Sequence, residues 1–272
     1  SKFKIPLILD LADMYSFIRP KYILNKSFKE ADKIIVITNY LKQDLISKNI
    51  PKEKIVHIPN GVDLELFHPN YDQHEIQMIK KKFNSKKIVL FAGSLQDLTM
   101  IIESAKYVVE KIPDVKYIII GDHRDPNRRV SVWKNIVKEK GLENYFDFLG
   151  KLPKNEIPKY VAISDVCVDS FPDEPYFAAA HPLKILEYGA CKKPILATNV
   201  SETSKLVKHN EFGLLAEPEN FLQYGEFLVK ILTNDKISEK LSNNFYKYVI
   251  SNFNWDSLAD IFEIHVMGIN KK

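Results

Sequence analysis

Nine short apolar runs, most of them rich in Ile and Val, punctuate this chain, and stretches with helical spacing separate most of them. The runs cover residues 5–11, 33–38, 54–59, 87–93, 115–121, 145–150, 165–171, 194–199 and 213–217. KIVLFAG (87–93) and VKYIIIG (115–121) are apolar almost throughout rather than at every second position. A strand with water on one face alternates, whereas a strand covered by helices on both faces does not. Helices are predicted over 39–49, 97–111, 127–140, 154–163, 182–192 and 201–209, with three more near 219–233, 235–250 and 254–269. Strand, helix, strand in repetition leaves right-handed crossovers and an open, doubly wound parallel sheet. The fold class is therefore α/β.

The pattern breaks at residues 60–82. Asn60-Gly61 is a turn signal, and FHPNYDQHEIQMIKKKFNSKK is polar with no strand in it. The alternation restarts at Lys87. One unit thus spans 1–68, a linker 69–84 and a second unit 85–250, with a terminal helix in 251–272. Three parallel strands make a poor isolated sheet. Completion of the first unit calls for the last helix with a segment absent from this sequence, or for a partner chain.

Composition narrows the functional classes. The 272 residues are 45% hydrophobic and 27% charged, with a net charge of +4, as in a water-soluble globular chain. The lysines are interspersed with acids, so a nucleic-acid surface is not expected, and a weak attraction to acidic lipid surfaces is compatible with the charge. Two cysteines, Cys167 and Cys191, are too few for a disulfide framework or a metal site. No apolar run reaches the ~18 residues needed to cross a bilayer, and the opening segment lacks a signal-peptide pattern. The expected location is cytoplasmic, with the inner face of a membrane as a further option.

The segment HPLKILEYGACKKPILATN (181–199) carries the chemistry. Pro182 is placed at the first helical position, where its missing N–H costs nothing. The free N–H groups of Leu183 and Lys184 then point out of the helix end, where anions are favoured. Side chains lean toward the helix N-terminus, so Glu187 presents acceptors beside such an anion. A phosphate next to hydroxyls describes a nucleoside diphosphate with its ribose. An ordinary amphipathic helix explains the same residues.

ADKIIVITNYLKQDL (31–45), KIVHIPNGVDLELFHP (54–69) and KIVLFAGSL (87–95), followed by YFDFLGKLPKNEIPKYVAISDVCV (145–168), the 181–199 segment and FNWDSLADIF (253–262), resemble the family-4 retaining glycosyltransferases of the GT-B fold. The resemblance covers most of the chain in order. It implies two Rossmann-like domains across a cleft, the C-terminal one (85–250) holding a nucleotide-activated sugar and the N-terminal one the acceptor. Residues 1–68 resemble only the later half of an acceptor domain, and helix 251–272 would pack back on it.

Carried over residue by residue, Glu187 matches the second glutamate of the family's paired-glutamate motif, a ribose binder. Where the first would stand, eight residues earlier, the chain has Ala179. Gly93-Ser94 ends a strand where glycine permits close approach to a ligand. The family's diphosphate-clamping Arg and Lys are replaced here by Ser94 and Thr99. The substitutes for charge stabilisation are Lys184, or Arg124 or Arg128 after the Gly121-Asp122 strand end, with Arg128 and Arg129 otherwise solvent-facing. Lys151 and Leu152 match the loop that meets the base in the family, although a plain turn accounts for them equally. His181 is either a phosphate or sugar contact or a capping residue, and His57 reads as structural. Asp10 and Asp13, at a strand end facing the cleft, are the acceptor-side candidates.

No Asp-x-Asp, Gly-x-Gly-x-x-Gly, Gly-Lys-Ser/Thr or Gly-x-Ser-x-Gly motif occurs, so GT-A transferase, dinucleotide, phosphate-loop and hydrolase sites are not indicated. Neither metal nor cofactor is expected. The implied activity is metal-independent, retaining transfer from a nucleotide sugar to a hydroxyl of a glycan, lipid-linked or small-molecule acceptor, with Glu187 and Lys184 at its centre. A partner-dependent or non-catalytic nucleotide-sugar-binding module is the alternative, and a nucleotide-sugar epimerase the third.

Overall fold

The computed structural model describes residues 5–12, 21–174, 177 and 179–270. Each of the nine apolar runs contains a strand: β1 (Ile8–Leu11), β2 (Lys33–Val36), β3 (Ile55–His57), β4 (Lys87–Ala92), β5 (Val115–Ile120), β6 (Phe146–Gly150), β7 (Val166–Val168), β8 (Ile195–Thr198) and β9 (Leu214–Ala216). All pair in parallel, in a three-stranded sheet β1-β2-β3 and a six-stranded sheet β6-β5-β4-β7-β8-β9.

The continuous hydrophobicity of β4 and β5 has the cause inferred from sequence. Val89, Phe91, Tyr117 and Ile119 enter one core, while Ile88, Leu90, Ile118 and Ile120 enter the core on the opposite face. Successive strand side chains point to opposite faces, so a strand covered twice must be apolar at both phases. The first core is closed by α4 (Thr99–Lys111), α5 (Val130–Glu139) and α9 (Phe221–Thr233). The second is closed by α3 (Gln73–Lys81), α6 (Ile157–Ile163), α7 (Leu183–Ala190) and α8 (Ser201–Val207). Helix α10 (Asp235–Asn252) sends Leu241 to the first and Phe245 and Val249 to the second.

The structure departs from the sequence reading in three places. Residues 69–84, read as linker, contain α3, capped by Asp72, whose side chain accepts from Glu75 N–H. Its Ile76 is buried in the second core with Phe83 packed nearby, so a narrow apolar stripe sufficed where polar composition suggested a loop. Helix α1 (Lys21–Glu30) was not foreseen either, and Phe28 anchors it in the core of the small sheet. Pro182 occupies the N-cap position, with ψ at 94°, rather than the first helical position.

The small sheet is covered by α1 and α2 (Asn39–Ser47). Its attachment to the rest is specific: Val62 N–H donates to Phe253 O at 2.8 Å, and Tyr40 N–H donates to Glu202 Oε1 on α8 at 3.1 Å. Ala179 is buried in the small sheet's core. The chain ends in α11 (Trp255–His265) and a 3-10 turn. Among the described residues no helix is long and apolar enough to cross a membrane.

Candidate functional site

From β4 the large sheet runs outward to β5 and β6, then restarts on the other side at β7. Parallel α/β sheets open a crevice beyond the carboxyl ends of the strands at such a reversal. Two cavities meet there at Ser94 and Gln96. One, of ≈ 640 Å³, is walled by the loops after β4, β5 and β6, including Gly93, Gly121, Asp122, Arg124, Lys151 and Leu152. The other, of ≈ 270 Å³, lies between the sheets, with Ala12, Ile37 and Asn60 opposite Phe171, His181, Leu183 and Lys184. An equally large groove runs along β6 past Phe146 and Phe148, away from the reversal, so volume alone does not choose the site.

The strand ends are tied together. Gly93 N–H donates to Ile120 O at 2.9 Å and Gly121 N–H to Gly150 O at 2.8 Å. Gly121 has φ +131°, and a Cβ there would lie 1.8 Å from Gly93 O. Glycine alone fits both the dihedral and the backbone contact.

Asp122 is committed to its own loop: Oδ1 accepts the N–H of His123 at 2.8 Å and of Val130 at 3.1 Å. Those bonds hold its carboxyl below the usual carboxylate range and fix the wall bearing exposed Arg124. Arg128 does not face solvent as expected. It is half-buried, and Nη1 donates to Gln96 Oε1 at 3.0 Å, which holds the residue shared by both cavities. Arg129 is exposed, as the sequence reading had it. Lys151 is exposed and Leu152 half-buried on the same wall.

The start of α7 supplies donors. Ile185 N–H turns back to Pro182 O at 3.0 Å and Pro182 provides no side-chain cap, so the N–H groups of Leu183 and Lys184 have no partner among the described residues. Lys184 lines the second cavity, and its Nζ pairs with Asp169 Oδ1 at 2.7 Å. One turn on, the side-chain carboxylate of half-buried Glu187 accepts no hydrogen bond among the described residues. Burial pushes its carboxyl up, opposed by Lys154 and Lys184. It borders the cleft without lining either cavity. His181 lines the second cavity; its Nδ1 is buried without a partner among the described residues, and burial pushes the ring down to about 4. The ring is therefore neutral at physiological pH. His57 is structural: its Nε2 lies 3.2 Å from Ile37 O.

On the opposite wall, Ala12 rather than Asp10 reaches the cavity; Asp10 lies within β1, paired in register with Ile35, and is exposed. Asp13 lies outside the described residues. Sequence reasoning missed Gln96, His123 and Asp169. Asp169 carried a signal, since it is a carboxylate closing the apolar run VCV at a strand's carboxyl end.

These features define the fold and cleft of a GT-B glycosyltransferase. A glycosyltransferase from Rickettsia africae superposes with a TM-score of 0.80 at 22% identity, covering 97% of this chain and 71% of that one. The UDP complex of HepE from Anabaena superposes at 0.78 and 18% identity, over 98% and 72%. The chain belongs to the family described as glycosyl transferases group 1, whose profile matches residues 72–248, and the profile of glycosyltransferase family 4 matches residues 12–66. Among curated relatives, the UDP-Gal:alpha-D-GlcNAc-diphosphoundecaprenol alpha-1,3-galactosyltransferase of Escherichia coli is 30% identical over 80% of this chain and 56% of its own length. A putative teichuronic acid biosynthesis glycosyltransferase of Bacillus subtilis is 30% identical over 66% and 43%. The chain spans about half the length of these curated relatives.

Proposed function

We propose that this chain provides the donor side of a retaining, metal-independent glycosyltransferase that moves a sugar from a nucleotide diphosphate sugar to an acceptor hydroxyl. The observation that carries this reading is the meeting, at the reversal of the sheet, of the Leu183 and Lys184 N–H groups, without partners among the described residues, and the Lys184 ammonium, with the Glu187 carboxylate one turn further along α7. The base occupies the larger cavity, and the ribose reaches past its wall to donate its hydroxyls to Glu187. The diphosphate faces the start of α7, and the sugar enters the smaller cavity between the sheets. In transfer the acceptor oxygen bonds to the anomeric carbon as the carbon–phosphate-oxygen bond breaks. The hydroxyl proton passes to the departing phosphate oxygen on the same face. Positioning and charge stabilisation supply the rate.

The E. coli relative's name specifies UDP-galactose and a lipid-linked acceptor, and the Anabaena neighbour holds UDP. Both favour UDP as the first probe, and the E. coli name favours a lipid-linked acceptor. A second reading, a binding module that works with a partner chain, is favoured by Ala179: the position of the family's first glutamate is buried in the small sheet's core. UDP at about one hundred times its Kd should stabilise the chain by about 2.7 kcal/mol through mass action, and Glu187→Ala should abolish that shift. A wild-type chain unmoved by any nucleotide or nucleotide sugar would sink the donor-site reading. Release of free sugar from the bound donor separates the transferase from the module, and a changed sugar nucleotide without acceptor would indicate an epimerase.

A further inference from the structure

The cation of the smaller cavity is held by a buried counter-charge. The side chains of Lys184 and Asp169 retain 11% and 1% of their exposure, with Nζ 2.7 Å from Oδ1. The ammonium stands 4.5 Å from the ring centre of Phe91 and 4.4 Å from that of Phe171. Its stem passes Gly93, where a Cβ would come within 3.1 Å of Lys184 Cε. Two rings, a missing side chain and a carboxylate leave the lysine one posture.

Asp169 is fixed in turn. Ser170 N–H donates to its Oδ1 at 3.0 Å, and the Tyr224 hydroxyl donates to its carbonyl at 3.0 Å. Ser170 Oγ donates to Asp97 O at 2.6 Å, tying the end of β7 to the loop after β4. Asp169 Oδ2 is buried without a partner among the described residues. Withdrawing two charges from water costs several kcal/mol per ion, and apolar residues of equal volume commonly serve stability as well or better. A dry ion pair with one acceptor unfilled, at the reversal of the sheet, is placed for ligand chemistry rather than for packing.

We propose that Asp169 is a positioning residue that fixes the Lys184 ammonium on the cavity wall, so that the site meets a diphosphate with a preset cation. This rests on the reading of the cleft as a nucleotide site. Asp169 acts only through Lys184. Its fixed charge offsets the desolvation that would otherwise drive a buried lysine toward the neutral form. The other titratable groups around the pair are Glu187 on α7, His181 before it, and the phenols of Tyr188 and Tyr224. Burial keeps both phenols neutral and pushes His181 down to about 4. Glu187 remains, and a Glu187→Gln background removes it.

The test is UDP affinity by calorimetry from about pH 7 to about pH 9.5, above the ordinary histidine range and below the ordinary lysine value of about 10.4. Wild type, with its ion pair intact, should hold its affinity within about threefold across the window. Asp169→Asn should stay near wild type at the lower end and lose about tenfold or more by the upper end, as its lysine deprotonates. Lys184→Met should bind weakly and without pH dependence. The Asp169→Asn loss should persist in the Glu187→Gln background. An Asp169→Asn profile parallel to wild type would overturn the proposal. So would a wild-type Lys184 ammonium resonance, followed by nitrogen-detected NMR, that UDP leaves unmoved, a measurement that needs no variant to fold. Failure of wild type to bind UDP at any pH would overturn the nucleotide reading and this one with it. That result differs visibly from two parallel profiles.

Discussion

Lys184→Met should damage the protein more than removing Lys184 and Asp169 together. The structure sets the scale: Asp169 is 1% exposed, and the change strips its carboxylate of the only cation bonded to it among the described residues. Oδ1 would keep the Ser170 N–H alone, and Oδ2 would still lack a partner. Leaving such a charge buried and unpaired costs about 3–5 kcal/mol. At about 2–4 °C per kcal/mol for a chain approaching this length, the melting point should fall by roughly 6–20 °C. In Asp169→Asn/Lys184→Met no uncompensated charge remains, and neutral replacement of a buried pair is often close to neutral in stability. The double variant should therefore recover most of the loss and yet bind UDP no better than the single one. The four proteins of the cycle, unfolded in urea and followed by circular dichroism, give the coupling directly. A single variant costing under about 1 kcal/mol, or a double variant whose loss equals the sum of the singles, would refute the account of the pair as mutually dependent buried charges.

Gly121→Ala should destabilise the chain and remove nucleotide binding, since its φ of +131° and the 1.8 Å approach to Gly93 O leave no room for a Cβ; wild-type stability and affinity in that variant would refute the tie between strand ends. Stability should also fall in acid. His181 is pushed down to about 4 in the folded state, whereas the unfolded chain protonates near 6.5, so the unfolded state binds the proton first and stability erodes as pH falls from about 6.5 toward 4. The contribution at stake is about 3–4 kcal/mol, and urea unfolding of His181→Phe across that window should show a shallower slope than wild type.

The legible parts of the fold were those where one periodicity excluded the alternatives. Residues 87–93 and 115–121 could be strands only if both faces were covered, and the two cores on either side of β4 and β5 bear that out. Helix α3 escaped notice because a three-turn helix on a crowded surface needs only Ile76 and its neighbours for anchorage, while its remaining positions stay polar. Arg128 escaped because nothing local distinguishes an arginine that reaches back to Gln96, 32 residues away in the chain, from one in water. Asp169 was present in the motif, but its partner is a residue 15 positions on, across a strand-to-helix connection.

The sequence by itself determined what local chemistry can dictate. It set the parallel strands, the glycines at their ends, the helix that follows Pro182 with donors at its start, and the family to which the chain belongs. Tertiary structure alone decided which charges are paired and which polar atoms are left waiting. It turned Lys184 from a solvent-borne cation into a dry, braced one, set Asp122 to holding its own loop, and sank Ala179 into the core of the other sheet. The reason is that secondary structure follows from neighbours along the chain, whereas the state of a charge follows from burial and from neighbours across space, which only the folded chain brings together.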